Sequence, residues 1–316
     1  MNEDEKQAIF DNLANMNVVD EQAAKDGRFD VKSKYKAIKE TEGGEALLLA
    51  IRTENIDEVT RLLEKVDPNC IVKNPGNEVF TEGDRTWRIL GAQTPLVAAG
   101  RVGNMKFVKL LVSKGADVNL HGHANETALM AAIKHGNFDM VKFLVMNGAK
   151  INTLVKHWGS ALSKASEKGH LEIVKYLESK QADIDSRVAY VGTPLMLAAE
   201  NGHLGIAKFL IEKGADVNKK EAYRGTPLIL ASVNGDLDMV KYLIGEGAGL
   251  DEGVAHVGTA LIMAAGNNHL EVVKYLISKG ADVNKRVQHV GSPLSEARDY
   301  GHVGIEEYLK SKGARQ

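Results

Sequence analysis

Apolar residues in this 316-residue chain fall in paired short clusters of helical spacing, each pair followed by a polar, glycine-containing connection. In the stretch TPLMLAAENGHLGIAKFLIEKGADVN, which begins at Thr193, an Ala-rich cluster closes at Gly202. Leu204, Ile206, Ala207, Leu210 and Ile211 then follow at helical spacing, up to Gly214. This spacing makes one apolar helix face, and glycine after the cluster suits a left-handed C-terminal cap. Thr193 is a good N-cap, and Pro194 suits the first helical position, where a missing N–H leaves nothing unsatisfied. The pattern therefore predicts helix, turn, helix, then an extended return of about eight residues.

The unit recurs. Thr94-Pro95-Leu96, Thr127-Ala128-Leu129, Ser160-Ala161-Leu162, Thr193-Pro194-Leu195, Thr226-Pro227-Leu228, Thr259-Ala260-Leu261 and Ser292-Pro293-Leu294 each begin 33 residues after the one before. Such strict self-similarity means a stack of one small unit whose core is shared between neighbours. With GHLEIVKYL at 169–177 and KGADVN at 114–119, 213–218 and 279–284, the chain resembles the ankyrin repeat family. The resemblance implies an all-α fold, an ankyrin-repeat α-solenoid with short β-hairpin fingers and about eight repeats. One departure is systematic. The family's signature His, which ties neighbouring loops, is replaced by Val97, Met130, Ser163, Met196, Ile229, Ile262 and Ser295.

The ends and two interior repeats break the pattern. Residues 1–44 form an N-terminal helical extension, read either as a cap over the first repeat or as a partner-binding tail; residues 45–316 form the repeat domain. The first repeat has Glu45-Ala46-Leu47 at its mark. Thr94 lies 49 residues on rather than 33, which places an inserted loop at 70–93. Val79 and Phe80, a turn at Glu82-Gly83-Asp84, and Trp87 predict an enlarged β-hairpin there. In the fourth repeat Lys164, Glu178 and Gln181 replace small, apolar and glycine residues, marking a weak joint. Glu306 and Lys310 put polar groups on the stacking face of the last repeat, residues 292–316, which reads as a C-terminal cap.

Composition narrows the function classes. A net charge of -2 offers no electrostatic reason to bind nucleic acid or an anionic membrane. A single cysteine, Cys70, excludes an internal disulfide framework. The acidic start MNEDEKQAIF is unlike a secretory signal, and no apolar run reaches spanning length, so the expected location is cytoplasmic or nuclear. No set of residues assembles a catalytic, cofactor or metal site. The glycines of GEGAG at 245–249 fall in a repeat turn; His170, His203, His269 and His302 share one structural position; His121 and His123 lack further metal ligands.

Partner-binding residues are expected on the surface. Three positions before successive marks stand His157, Tyr190, Tyr223, His256 and His289, with Trp158 beside the first; both tryptophans, Trp87 and Trp158, lie in fingers. One such residue per repeat makes a ladder along an edge, either a binding row or packing between tips. The fourth residue after the mark gives a second row in which Leu197, Leu230 and Met263 form an apolar strip facing the groove, with Arg224 and Tyr300 at its edges. Arg101 and Lys134, then Glu167 and Glu200, predict a groove running from basic to acidic to apolar.

These residues point to a non-catalytic, monomeric scaffold or adaptor that binds a partner protein. An inhibitor or effector that occludes a target enzyme, or a ligand-sensing or enzymatic role built on the loop at 70–93, is the alternative. The family resemblance also implies hydroxylation of Asn119, Asn152, Asn218 and Asn284.

Overall fold

The computed structural model describes residues 43–72, 79–82, 85–88, 93–122, 125–155 and 158–315. Residues 1–42 of the N-terminal extension, His123, His157 and the side chain of Trp87 lie outside the described residues. The chain divides into two compact units, residues 1–150 and 151–316.

The first unit holds three helix pairs among its described residues: α1 (Gly44–Arg52) with α2 (Ile56–Leu62), α3 (Pro95–Val102) with α4 (Met105–Ser113), and α5 (Ala128–Lys134) with α6 (Phe138–Met146). Between α2 and α3 runs a two-stranded antiparallel hairpin, β1 (Val79–Glu82) and β2 (Arg85–Arg88), paired with Phe80 opposite Trp87 and Glu82 opposite Arg85. Its base is closed by a bridge between Val72 and Gln93.

Five pairs make the second unit: α7 (Ala161–Glu167) with α8 (Leu171–Ser179), α9 (Pro194–Glu200) with α10 (Leu204–Glu212), α11 (Pro227–Val233) with α12 (Leu237–Gly245), α13 (Ala260–Gly266) with α14 (Leu270–Ser278), and α15 (Pro293–Asp299) with α16 (Val303–Ser311). No described helix is long and apolar enough to cross a membrane.

Every Ser/Thr mark is an N-cap. The hydroxyls of Thr94, Thr127, Ser160, Thr193, Thr226, Thr259 and Ser292 accept from the backbone N–H three residues on, at 3.1 to 3.3 Å. Each such bond satisfies one otherwise orphaned donor and is typically worth about 1 kcal/mol. The first repeat lacks that hydroxyl, and its helix begins at Gly44 behind Gly43, whose left-handed φ of 99° glycine accepts without strain. Within each unit the first helices of successive repeats pack more extensively than the second helices. Their shared layer is lined by fully buried residues such as Leu195, Ala198, Ile262 and Ala264.

Asparagines tie neighbouring loops. Asn69, Asn119, Asn152, Asn218 and Asn284 each donate through Nδ2 to a carbonyl of the next repeat's turn, at 3.0 to 3.2 Å. Their Oδ1 atoms accept from a backbone N–H two residues beyond that carbonyl, at 2.6 to 2.9 Å. The four asparagines expected to be hydroxylated therefore use both ends of their amides in inter-repeat bonds. The recurring His adds a second tie: Nε2 of His203, His269 and His302 lies 3.1, 2.8 and 3.0 Å from the carbonyls of Glu167, Val233 and Gly266, at the end of the preceding repeat's first helix.

The irregular fourth repeat is compensated locally. Lys164, 9% exposed, pairs with Glu167 and lies 4.9 Å from the Trp158 ring centroid. Glu178 reaches Lys213 of the next repeat at 4.0 Å. Its equivalents Val112, Val145, Ile211, Ile244 and Ile277 are only half-buried, so a charge costs less there than in the core. Gln181 takes a φ of 65°, a conformation that costs a residue with a Cβ about 1–2 kcal/mol.

Candidate functional site

The fingers of the second unit are tight five-residue turns. Val155 with Gly159, Val188 with Gly192, Glu221 with Gly225, Val254 with Gly258 and Val287 with Gly291 form antiparallel backbone bridges. In the finger 188–192, two amides, those of Val191 and Gly192, donate to the Val188 carbonyl at 3.0 Å, which leaves the middle residue, Tyr190, at the tip. Tyr190, His256 and His289 have φ of 64°, 63° and 67°, a left-handed backbone uncommon for residues carrying a side chain. Gly192, Gly258 and Gly291 (φ 93°, 112° and 111°) take the next turn, where a Cβ would lie 2.8 Å from Met196 Sδ or 2.4 Å from Ser295 Oγ in the first and last of these.

The tips stack in pairs. Tyr190 and Tyr223 have ring centroids 5.0 Å apart at 21°, and His256 and His289 have theirs 4.6 Å apart at 5°. Both tyrosines remain largely exposed, at 59% and 63%. Offset stacking of this kind adds about 0.5–1.5 kcal/mol per pair and holds each ring in place while its outer surface stays in water.

Arg224 is committed to this arrangement rather than free at the edge of a groove. Its guanidinium donates to the Val191 carbonyl at 2.9 Å and pairs with Glu200, spanning two fingers and a first helix. Glu221, 5% exposed, lies near the Tyr190 amide at 3.5 Å and pairs with Arg187 at 3.7 Å. A buried carboxylate held between an arginine and a backbone donor is stabilised against its desolvation.

The expected apolar strip is corrected. Leu197 and Leu230 are 3% and 7% exposed, because the first helices on either side cover the fourth position after the cap. Met263 in the same row is half-buried and lines an open pocket with Tyr300, which is 66% exposed. The basic-to-acidic gradient is also reduced by local pairing: Arg101 with the buried Glu126, Glu167 with Lys164 and Lys168, and Glu200 with Arg224. Trp158 is half-buried beneath Lys164 rather than open to solvent. Tyr176, Tyr242, Tyr275 and Tyr308, on the second helices, are half-buried, each with a lysine Nζ 5.4 to 5.7 Å from its ring centroid.

Cys70 is 1% exposed; burial, helped by the Asp67 carboxylate, pushes its thiol up to about 12, so it is a poor nucleophile. Among the described residues no group of three His, Cys, Asp or Glu side chains is placed to hold a metal ion.

Capped helix pairs, bridged fingers and asparagine ties coincide with the family models for ankyrin repeats, which match residues 76–155, 153–221 and 228–316. The chain belongs to the ankyrin repeat family. A similar solved structure is the crystal structure of the human ASB11 ankyrin repeat domain, with a TM-score of 0.63 and 27% identity over 71% of this chain and 100% of that domain. No curated protein matches the chain. Ankyrin repeats generally mediate protein–protein interactions and are typically non-catalytic modules.

Proposed function

We propose that this ankyrin repeat protein is a scaffold or adaptor that holds a partner protein on the finger tips of its second unit, with Tyr190 and Tyr223 as principal anchors and His256 and His289 extending the row. The observation that carries the reading is the exposed Tyr190–Tyr223 stack. Two large rings are positioned by Arg224 and by a left-handed backbone at Tyr190, yet more than half of each stays accessible. Fixed aromatic surface with a polar hydroxyl is what binding hot spots favour, because little side-chain freedom is lost on contact. Tyr300 is a further contact on the same unit, and the hairpin that carries Trp87 is a candidate second contact on the first unit.

Site-specific photo-crosslinking tests this reading. A benzoylphenylalanine placed at 190 or 223 should trap the same partner from cell extract, whereas one placed at 242, on a second helix, should not. Trapping from 242 alone would move the interface off the fingers.

A further inference from the structure

The last two repeats contain a pocket that the finger-tip reading does not use. Its volume is about 440 Å³, and Ile262, Met263, Gly266, Asn267, Glu296, Tyr300 and His302 line it. Two departures from the repeat pattern create it. Seven residues after the mark, other repeats carry Arg101, Lys134, Glu167, Glu200, Val233 or Asp299; this one has Gly266, which leaves the space open. A Cβ at 266 would meet Glu296 Oε2 at 3.4 Å and the Tyr300 ring at 3.8 Å. Four residues after the mark, where Ala98, Ala131, Leu197 and Leu230 are buried, the last repeat instead puts a carboxylate, Glu296.

The electrostatics of that carboxylate are unlike those of its neighbours. Glu167 and Glu200, on equivalent helices, are paired with Lys164 and Arg224. No described cation pairs with Glu296, although it is half-buried among Ile262, Met263 and Tyr300. Burial, and secondarily the nearby Asp299, holds its carboxyl above the usual carboxylate range, the condition that an incoming cation would relieve. Tyr300 presents a ring that is 66% exposed and stacked on His302, with centroids 6.3 Å apart at 18°.

We propose that this pocket receives the side chain of an arginine presented by a partner protein, its guanidinium paired with Glu296 and laid against Tyr300. Arginine fits better than lysine because its planar fork meets both carboxylate oxygens and stacks on an aromatic face, and because it is more weakly hydrated than an ammonium. Its methylenes would cover the half-buried Met263, beneath which Ile262 is already enclosed. The proposal deepens the reading that this unit binds protein on its finger side: a Cβ built at Gly258 or Gly291, at the bases of the two His fingers, would lie 3.5 Å from Met263 Sδ or 3.7 Å from Glu296 Oε1.

The test uses the full chain with methyl-labelled isoleucine and methionine, titrated with N-acetyl-arginine methylamide and followed by NMR. Saturable shifts at Ile262 and Met263 are expected. The neutral isostere N-acetyl-citrulline methylamide, and the variant Glu296→Gln with the arginine probe, should each weaken binding by about tenfold or more. Gly266→Val, which copies Val233 and occurs at an ordinary helical φ, should block the pocket without lowering the melting temperature. Absence of shifts at these methyls, equal binding of the citrulline probe, stronger binding of the lysine analogue, or indifference to Glu296→Gln would each overturn the assignment. Because the probe needs no partner and does not touch Tyr190 or Tyr223, its failure would leave the finger-tip reading standing, and failure of that reading would leave this result intact.

Discussion

Tyr190 and Tyr223 are 59% and 63% exposed, whereas Leu197 and Leu230, seven residues further along in the same repeats, are 3% and 7% exposed. Both rows recur at the repeat period and both are apolar or aromatic. The difference lies in what the neighbouring repeats supply. A first helix has another first helix packed on each side, so its fourth position after the cap is closed from both directions. A finger tip meets only the next tip, and a stacked ring partner covers one face and leaves the other. A periodic apolar row in a repeat protein therefore identifies a binding surface only where the stack does not itself cover it.

This contrast predicts a graded set of outcomes. Leu197→Ala removes a side chain from a closed layer and should destabilise the protein by about 2–5 kcal/mol, read as a lower urea midpoint with little change in partner capture per folded molecule. A cost below 1 kcal/mol would mean that Leu197 is surface after all. Arg224→Ala should cost about 1–2 kcal/mol, since it deletes a charge-assisted hydrogen bond to Val191 and leaves Glu200 unpaired. Changed ring-current shifts at Tyr190 should accompany it; unaltered tyrosine resonances would show that the stack needs no brace. Gln181→Gly should stabilise by about 0.5–1 kcal/mol, because the φ of 65° is strained for glutamine and free for glycine, while the backbone carbonyl that accepts from Asn152 is retained. Loss of stability would show that the glutamine side chain contributes contacts worth more than the strain.

The smallest effect is a rate. The buried Cys70 thiol, with its ionisation pushed up to about 12, should resist iodoacetamide at neutral pH until the first repeat opens. Alkylation as fast as that of a free thiol would place Cys70 at the surface.

Capping chemistry and period were legible in the sequence because both are local: Thr193 followed by Pro194 says where a helix starts without reference to anything distant. The hairpin around Glu82 and Arg85 was legible for the same reason. The direction of Leu197 and Leu230 was not, since their cover comes from helices 33 residues away in either direction. Nor was the pairing of Arg224 with Glu200 and of Arg101 with Glu126, which depends on side chains from different elements meeting. The pocket beside Glu296 was present in the sequence only as two departures, Gly266 and Glu296, whose spatial meeting no spacing rule announces.

The double variant Tyr190→Ala, Tyr223→Ala tests the central claim most directly when urea unfolding and quantitative affinity capture are measured on the same preparation. If the tips are anchors rather than core, unfolding free energy should fall by no more than about 1 kcal/mol, the scale of one lost ring pair, while capture of the partner falls by about a hundredfold or more. Collapse of the fold would make the tips structural, and capture equal to that of the unmodified protein would place the interface elsewhere.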